Sequence, residues 1–249
     1  MKQITKLLVK TAMVAVAGLL ATTLAWGVDY SELYNSGSFT GVETHSYTQN
    51  KTFTLNGKSW TASVSQVSGS VFYLGCNNNN ASKGILNSNT TFSAVVTALC
   101  SADATYNTNK TTAHAYALLF DNAYSNVTKV TFNWSGGNNA FQVYLFGDSG
   151  SGYVLLSSTD YATSGTTTAG SVEWTGDATN YSKFAIVARP GATNSTATNK
   201  TLRVSSFVIY ETDGGGSACA TPTFSPAAGE VLSGTTVTLS TETDDATIY

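Results

Sequence analysis

The residues of this chain that could carry acid–base, nucleophilic or metal chemistry are few and scattered. Ahead of the glycine run at 214 the carboxylates are Asp29, Glu32, Glu43, Asp103, Asp121, Asp148, Asp160, Glu173, Asp177, Glu211 and Asp213. Glycoside hydrolysis needs two of these facing one cleft. Most stand in turn-like surroundings, where an Asp normally bonds its own backbone, and Asp103, Asp148, Asp160 and Asp177 are read that way. Glu173 beside Trp174 and Glu43 near His45 are less ordinary, but no spacing brings them together. His114 lies in Ala-His-Ala-Tyr-Ala-Leu-Leu-Phe, where strand alternation groups it with Tyr116 and Leu118, opposite Ala113, Ala115 and Ala117. That is a sheet-facing or edge histidine rather than a general base. The chain has no Gly-x-Ser-x-Gly elbow, no phosphate-binding loop and no Cys-x-x-Cys pair, and His45 and His114 stand apart. The expectation is a protein without catalytic residues of its own and without a cofactor.

Binding chemistry is better represented. The chain holds 4 Trp, 13 Tyr and 11 Phe against only 11% charged residues, and flat rings with polar tips suit an uncharged, ring-shaped ligand. The ligand-binding candidates are Trp60, Trp174, Trp134 and Tyr153, with Tyr73, Tyr144 and Tyr161 nearby in sequence. Trp134 continues the apolar alternation of Val130 and Phe132, which favours the core. Trp60 and Trp174 each lie between polar neighbours, so their own face of the strand is either buried or an exposed aromatic platform. Asp148-Ser-Gly-Ser-Gly152 is a weak candidate for a structural Ca²⁺; it lacks the acids and terminal Glu of an EF-hand, and a plain turn is favoured. Cys76 and Cys100 follow apolar runs that read as neighbouring strands, leaving a disulfide and two buried thiols as equal alternatives. Cys219 is odd.

The elements that must position these residues are short. From Val28 the chain runs in Val-, Thr-, Tyr- and Phe-rich segments broken about every ten residues by Asn, Gly and Ser, the punctuation of an antiparallel sheet protein. Lys51 to Leu55, Asn56-Gly57 and Ser59 to Gln66 form the clearest hairpin, because both central residues of such a turn need φ > 0. Thr128 to Trp134 and Ala140 to Phe146, across Ser-Gly-Gly-Asn-Asn, read as a second hairpin. Further strands are expected at Val71–Cys76, Phe92–Leu99, Ala113–Phe120, Tyr153–Ser157, Ser171–Trp174, Lys183–Ala188 and Lys200–Tyr210, with a short helical turn at Tyr30–Asn35 and no long 3.6-residue period. Roughly ten strands need two sheets to cover their apolar faces. The fold class is therefore all-β, a jelly-roll-like antiparallel β-sandwich followed by a smaller, incomplete β domain.

The first 27 residues read as an address. Lys2, Lys6 and Lys10 precede an apolar stretch from Ala12 to Ala25, and Ala25-Trp26-Gly27 puts small residues where signal peptidase reads. The stretch is short for a membrane span and contains Gly18, Thr22 and Thr23. Cleavage after Gly27 would leave a secreted chain, extracellular, periplasmic or at the cell surface, with no membrane span. Without those three lysines the balance of 12 Lys plus Arg against 15 Asp plus Glu becomes more acidic, which disfavours wrapping by nucleic acid.

Gly214-Gly-Gly-Ser217 marks a flexible spacer, so the organisation reads as leader 1–27, sandwich 28–213, linker 214–218 and tail 219–249. In the tail, Pro222-Thr-Phe-Ser-Pro226, Gly229, Val237-Thr-Leu-Ser240 and Ala246-Thr-Ile-Tyr249 resemble the opening strands of the chitobiase/β-hexosaminidase C-terminal domain, an Ig-like module of secreted bacterial proteins. The resemblance covers about the last thirty residues, and relatives continue past the equivalent of Tyr249. It implies a module begun but not completed, since two or three strands bury little core by themselves. In some relatives a Cys before the Pro-Thr-Phe motif pairs with one after the Val-Thr-Leu-Ser strand; here that position is Thr241, leaving Cys219 without that partner. Residues 28–213, with Leu202-Arg-Val-Ser-Ser-Phe-Val-Ile-Tyr210 as a closing strand, loosely resemble β-sandwich accessory regions of secreted nucleases and polysaccharide-degrading proteins.

Three functional expectations follow. The sandwich binds carbohydrate or another extracellular polymer within a larger secreted bacterial protein; or it is the N-terminal accessory region of a secreted nuclease or glycosidase; or it is a structural spacer or surface-display domain.

Overall fold

The computed structural model describes residues 28–76, 90–110, 114–160, 168–190, 200–212, 223–225, 236 and 238–240. The expected leader, the glycine linker, Tyr161, Cys219 and Ala246–Tyr249 lie outside the described residues. In chain order the strands are β1 (Tyr30–Asn35), β2 (His45–Leu55), β3 (Lys58–Ser68), β4 (Val71–Cys76), β5 (Tyr116–Phe120), β6 (Tyr124–Gly137), β7 (Phe141–Asp148), β8 (Tyr153–Ser158), β9 (Gly170–Tyr181), β10 (Lys183–Pro190) and β11 (Lys200–Thr212). A short pair, β12 (Thr223–Ser225) and β13 (Thr238–Ser240), runs antiparallel in the tail. Two helices, α1 (Ser93–Ala102) and α2 (Ala104–Asn109), lie between β4 and β5.

The strands join antiparallel in the order β8-β7-β10-β5-β3-β4-β11-β6-β9, with β2 added on β3 and β1 on β11. One long strand makes the corner. The start of β3 pairs with β5 (Trp60 opposite Phe120), and its end pairs with β4 (Val67 opposite Phe72). The sheet folds over there, so β8-β7-β10-β5 faces β4-β11-β6-β9. Rings from strands that are not hydrogen-bonded meet in between: Phe120 and Phe207 at 5.3 Å, Phe184 and Phe207 at 5.8 Å, and Trp60 against Phe207 at 5.3 Å. The far ends also close on each other. A Cβ on Gly147 in β7 would fall 2.6 Å from the Tyr181 ring at the end of β9, so only glycine lets that ring lie on the strand.

The Asn56-Gly57 hairpin forms as expected, with φ of 45° and 73° at the two turn residues. The second expected hairpin does not. β6 and β7 are consecutive but pair with different neighbours, β6 with β11 and β9, and β7 with β10 and β8. The Gly- and Asn-rich corner carries the chain from one layer to the other, because alternation along each strand is satisfied equally by a flat hairpin and by an arch. Two other expectations are corrected. Tyr30–Asn35 is a strand, fixed to the end of β11, and Phe92–Leu99 is a short 3₁₀ turn running into α1. The buried positions Phe92, Val95, Ala98 and Leu99 fall three or four apart, the spacing of a helix face, in a run too short to stand out from a buried strand.

That helical pair explains an uneven burial. Along β5, β7 and β10, Tyr116, Leu118, Val143, Leu145, Phe184 and Ile186 enter the space between the layers. The alternate residues Ala115, Ala117, Tyr144, Phe146, Ala185 and Val187 meet Phe92, Val95, Leu99 and Tyr106 of the helical segment. These three strands are covered on both faces, and the small alanines let the helices approach closely. The opposite layer has no such cover among the described residues.

Candidate functional site: the bare face of the sheet

Residues directly paired across antiparallel strands point to the same side. On the outer side of β1, β11, β6 and β9 this gives a grid. One row is Glu32, Tyr210, Lys129 and Thr175; the next is Asn35, Val208, Thr131 and Glu173; a third is Ser206, Asn133 and Ser171. Tyr30 stands opposite Thr212 beside the first row, and Arg203 opposite Tyr73 extends the face onto β4. The inner alternates Val130, Phe132, Leu202, Phe207 and Ile209 are core, so period-two patterning fixes which side each residue takes.

The outer side chains are tied to one another. Lys129 Nζ lies 2.9 Å from Glu173 Oε2, and 5.0 Å and 5.7 Å from the ring centroids of Tyr30 and Tyr210. Those rings meet edge to face at 6.1 Å. Thr131 Oγ1 donates to Glu173 Oε2 at 3.2 Å, and Asn133 Nδ2 donates to Ser206 Oγ at 3.0 Å. The half-buried rings are thus held by a cation, and hydroxyl and amide groups are spread across the adjoining strands.

The sequence candidates land unevenly. Trp60 is fully buried, ringed by Phe39, Phe120 and Phe207, and its Nε1 donates to Tyr34 Oη at 3.2 Å; it packs the core and offers no surface platform. Its polar flanks face the other side of β3, as strand alternation requires. Trp134 is buried too, with its Nε1 donating to the Thr168 carbonyl at 2.9 Å. Trp174 is half-buried at the rim, edge-on to Tyr181 at 5.6 Å. Tyr153 is half-buried against the helical cluster, with Lys183 Nζ 5.9 Å from its ring and its hydroxyl pKa raised by burial and by Asp121 and Asp148. The structure does not gather these four into one surface. Tyr30 and Tyr210 were missed; the signal for Tyr210 was its place one residue after the core residue Ile209, and for Tyr30 there was none, its strand having been read as a helical turn.

The acids and histidines are engaged elsewhere. Asp148 Oδ1 accepts from the backbone N–H groups of Gly150 at 2.8 Å and Gly152 at 3.0 Å, the plain turn favoured over a Ca²⁺ loop. Among the described residues no group of three or more His, Cys, Asp or Glu could hold a metal ion. His45 Nε2 lies 3.0 Å from Ser65 Oγ and its Nδ1 2.9 Å from the Glu43 carbonyl. That resembles a nucleophile–base pair in outline, but Ser65 is fully buried and no substrate can reach it; the contact pins the irregular end of β2 to β3. His114 is buried, its Nδ1 unpartnered, and burial and the Lys200 charge lower its pKa. Cys100, read as a strand residue with a disulfide to Cys76 and a free thiol as equal alternatives, is a free thiol in α1 whose pKa is raised mainly by burial; the side chain of Cys76 lies outside the described residues.

One buried charge pair lies under the helices. Asp103 Oδ1 accepts from the Tyr106 N–H at 2.8 Å and caps α2, while Oδ2 meets Arg189 Nη1 at 3.0 Å and the Tyr144 hydroxyl at 2.7 Å. A shallow cleft of about 280 Å³ opens beside it, lined also by Gln142, Thr105 and two alanines. The turn role expected of Asp103 is there; its bond to Arg189, 86 positions on in sequence, had no local signal. These contacts fasten α1 and α2 to β7 and β10.

No protein-family model and no curated protein matches this chain.

Proposed function

We propose that this chain is a non-catalytic extracellular module that holds carbohydrate or another extracellular polymer on the bare outer face of β1, β11, β6 and β9, within a larger secreted bacterial protein. The observation that carries the reading is the contrast in cover. The opposite layer is capped by helices, whereas this face meets solvent with two braced tyrosines among Thr, Asn and Ser groups. An uncovered sheet face suits an extended chain better than a small molecule, which needs a concavity. The non-catalytic part is supported by where the chemistry-bearing side chains are spent: His45 on Ser65, Asp103 on Arg189, Asp148 on its own turn and Glu173 on Lys129. Export is supported by the lysine-led apolar leader. No described helix is long and apolar enough to cross a membrane.

The second reading is that of an accessory region of a secreted nuclease or glycosidase. It is favoured by the tail, where β12 and β13, which carry the Pro-Thr-Phe and Val-Thr-Leu-Ser segments likened to a chitobiase/β-hexosaminidase C-terminal domain, pair antiparallel with Phe224 opposite Leu239. The spacer reading has no observation of its own. The test is retention of the purified full chain on a panel of insoluble and soluble polysaccharides and other matrix polymers. Retention that Tyr210→Ala abolishes is expected; no retention on any polymer removes the binding function and leaves the accessory-region and spacer readings.

A further inference from the structure

Resting on that reading, we propose that the ligand is an uncharged, hydroxyl-rich polysaccharide, and that it docks across the patch formed by Tyr30, Tyr210, Lys129 and Glu173. The first argument is charge. Among the described residues, the Asp, Glu, Lys and Arg side chains at the paired positions of this face are Glu32, Glu173, Lys129 and Arg203, two of each sign. Lys129 is already neutralised by a carboxylate at 2.9 Å. A polyanion is held by several uncompensated cations acting together, and here it would meet two carboxylates instead. The chain as a whole also carries a net negative charge.

The second argument is hydrogen-bond type. Thr131, Asn133, Ser171, Thr175 and Ser206 offer donors and acceptors at neighbouring grid positions. A sugar hydroxyl is itself both donor and acceptor, so it can satisfy such a mixed surface in either sense. A sulfate or carboxylate only accepts, and would leave the Glu173 oxygens facing other acceptors. The third argument is preorganisation. Lys129 sits over Tyr30 and Tyr210 together, and the rings brace each other edge to face. Rings already fixed lose little rotamer freedom when a sugar packs on them.

Affinity electrophoresis of the full chain, at low and high salt, in gels containing either neutral glucans, mannans and xylans or polygalacturonate and heparin, separates the outcomes. Expected is retardation by at least one neutral glycan, unchanged by salt, weakened about tenfold or more by Tyr210→Ala and preserved by Tyr210→Phe. Circular dichroism of both variants checks that the fold is kept. Retardation by the anionic polymers alone, relieved by salt, would overturn the neutral-ligand inference while leaving a polymer-binding module. Neutral-glycan retardation indifferent to Tyr210→Ala and to Lys129→Ala would overturn the docking patch. No retardation by any glycan, together with no retention on any matrix polymer, would remove the parent reading as well.

Discussion

The two layers of this sandwich solve the same problem differently. In β5, β7 and β10 both faces are apolar, and the second face is closed by α1 and α2, bolted down by a buried ion pair that also caps α2. In β1, β11, β6 and β9 the inner face is apolar, while the outer face, apart from Val208, is polar or aromatic and carries an exposed ion pair ordering two tyrosines. The same pairing of Lys or Arg with Asp or Glu thus has opposite meanings. Under the helices the charges are out of water, and removing one leaves the other charge buried. On the bare face water screens both, so the pair arranges side chains while adding little stability.

The sharpest way to break this contrast is Asp103→Ala, which leaves Arg189 buried and Tyr144 without its acceptor. It should cost about 3–5 kcal/mol, measured by chemical denaturation. A loss below about 1 kcal/mol would mean that water reaches the pair and the two layers do not differ as described. Leu99→Ala tests the helix cover alone: a loss of about 2–5 kcal/mol is expected, with faster amide exchange in α1 and in β10. Exchange unchanged in β10 would show that the helices do not close that face.

His114 has its pKa held below the usual 6.5 in the fold, by burial first and then by the Lys200 charge. The unfolded chain therefore takes up the proton first. Stability should be fully present above pH 6.5 and fall as pH drops through and below it. In His114→Gln that part of the slope should vanish; an identical acid slope in the variant would place its origin in the carboxylates. The smallest effect is expected on the bare face, where Glu173→Gln should change stability by less than about 1 kcal/mol. It should nevertheless give the chain new, salt-sensitive retention on anionic glycans by releasing Lys129; none at all would mean that Lys129 takes no part in choosing the ligand.

Legibility in the sequence followed the range of the interactions. The Asn56-Gly57 hairpin was readable because the turn chemistry is contained in two residues. The same holds for the inward and outward assignment of Val130, Phe132 and Trp134, and for the Asp148 turn. The site was mostly not readable. Trp60, the natural aromatic to choose, went to the core because β3 turns the corner between layers and is covered by both. Tyr30 and Tyr210 come together only because β1 pairs with the last strand of the sandwich, 180 positions away in sequence.

What the amino-acid order determined by itself was the all-β class, the strand faces and the turn residues, since alternation and φ > 0 positions depend on neighbours along the chain. Only the tertiary structure decided which consecutive strands pair, as with β6 and β7, and which layer receives the helices. It alone brought Asp103 to Arg189 and Lys129 to two tyrosines. Those choices depend on pairings between distant segments, and a period of two residues is equally well satisfied on either layer.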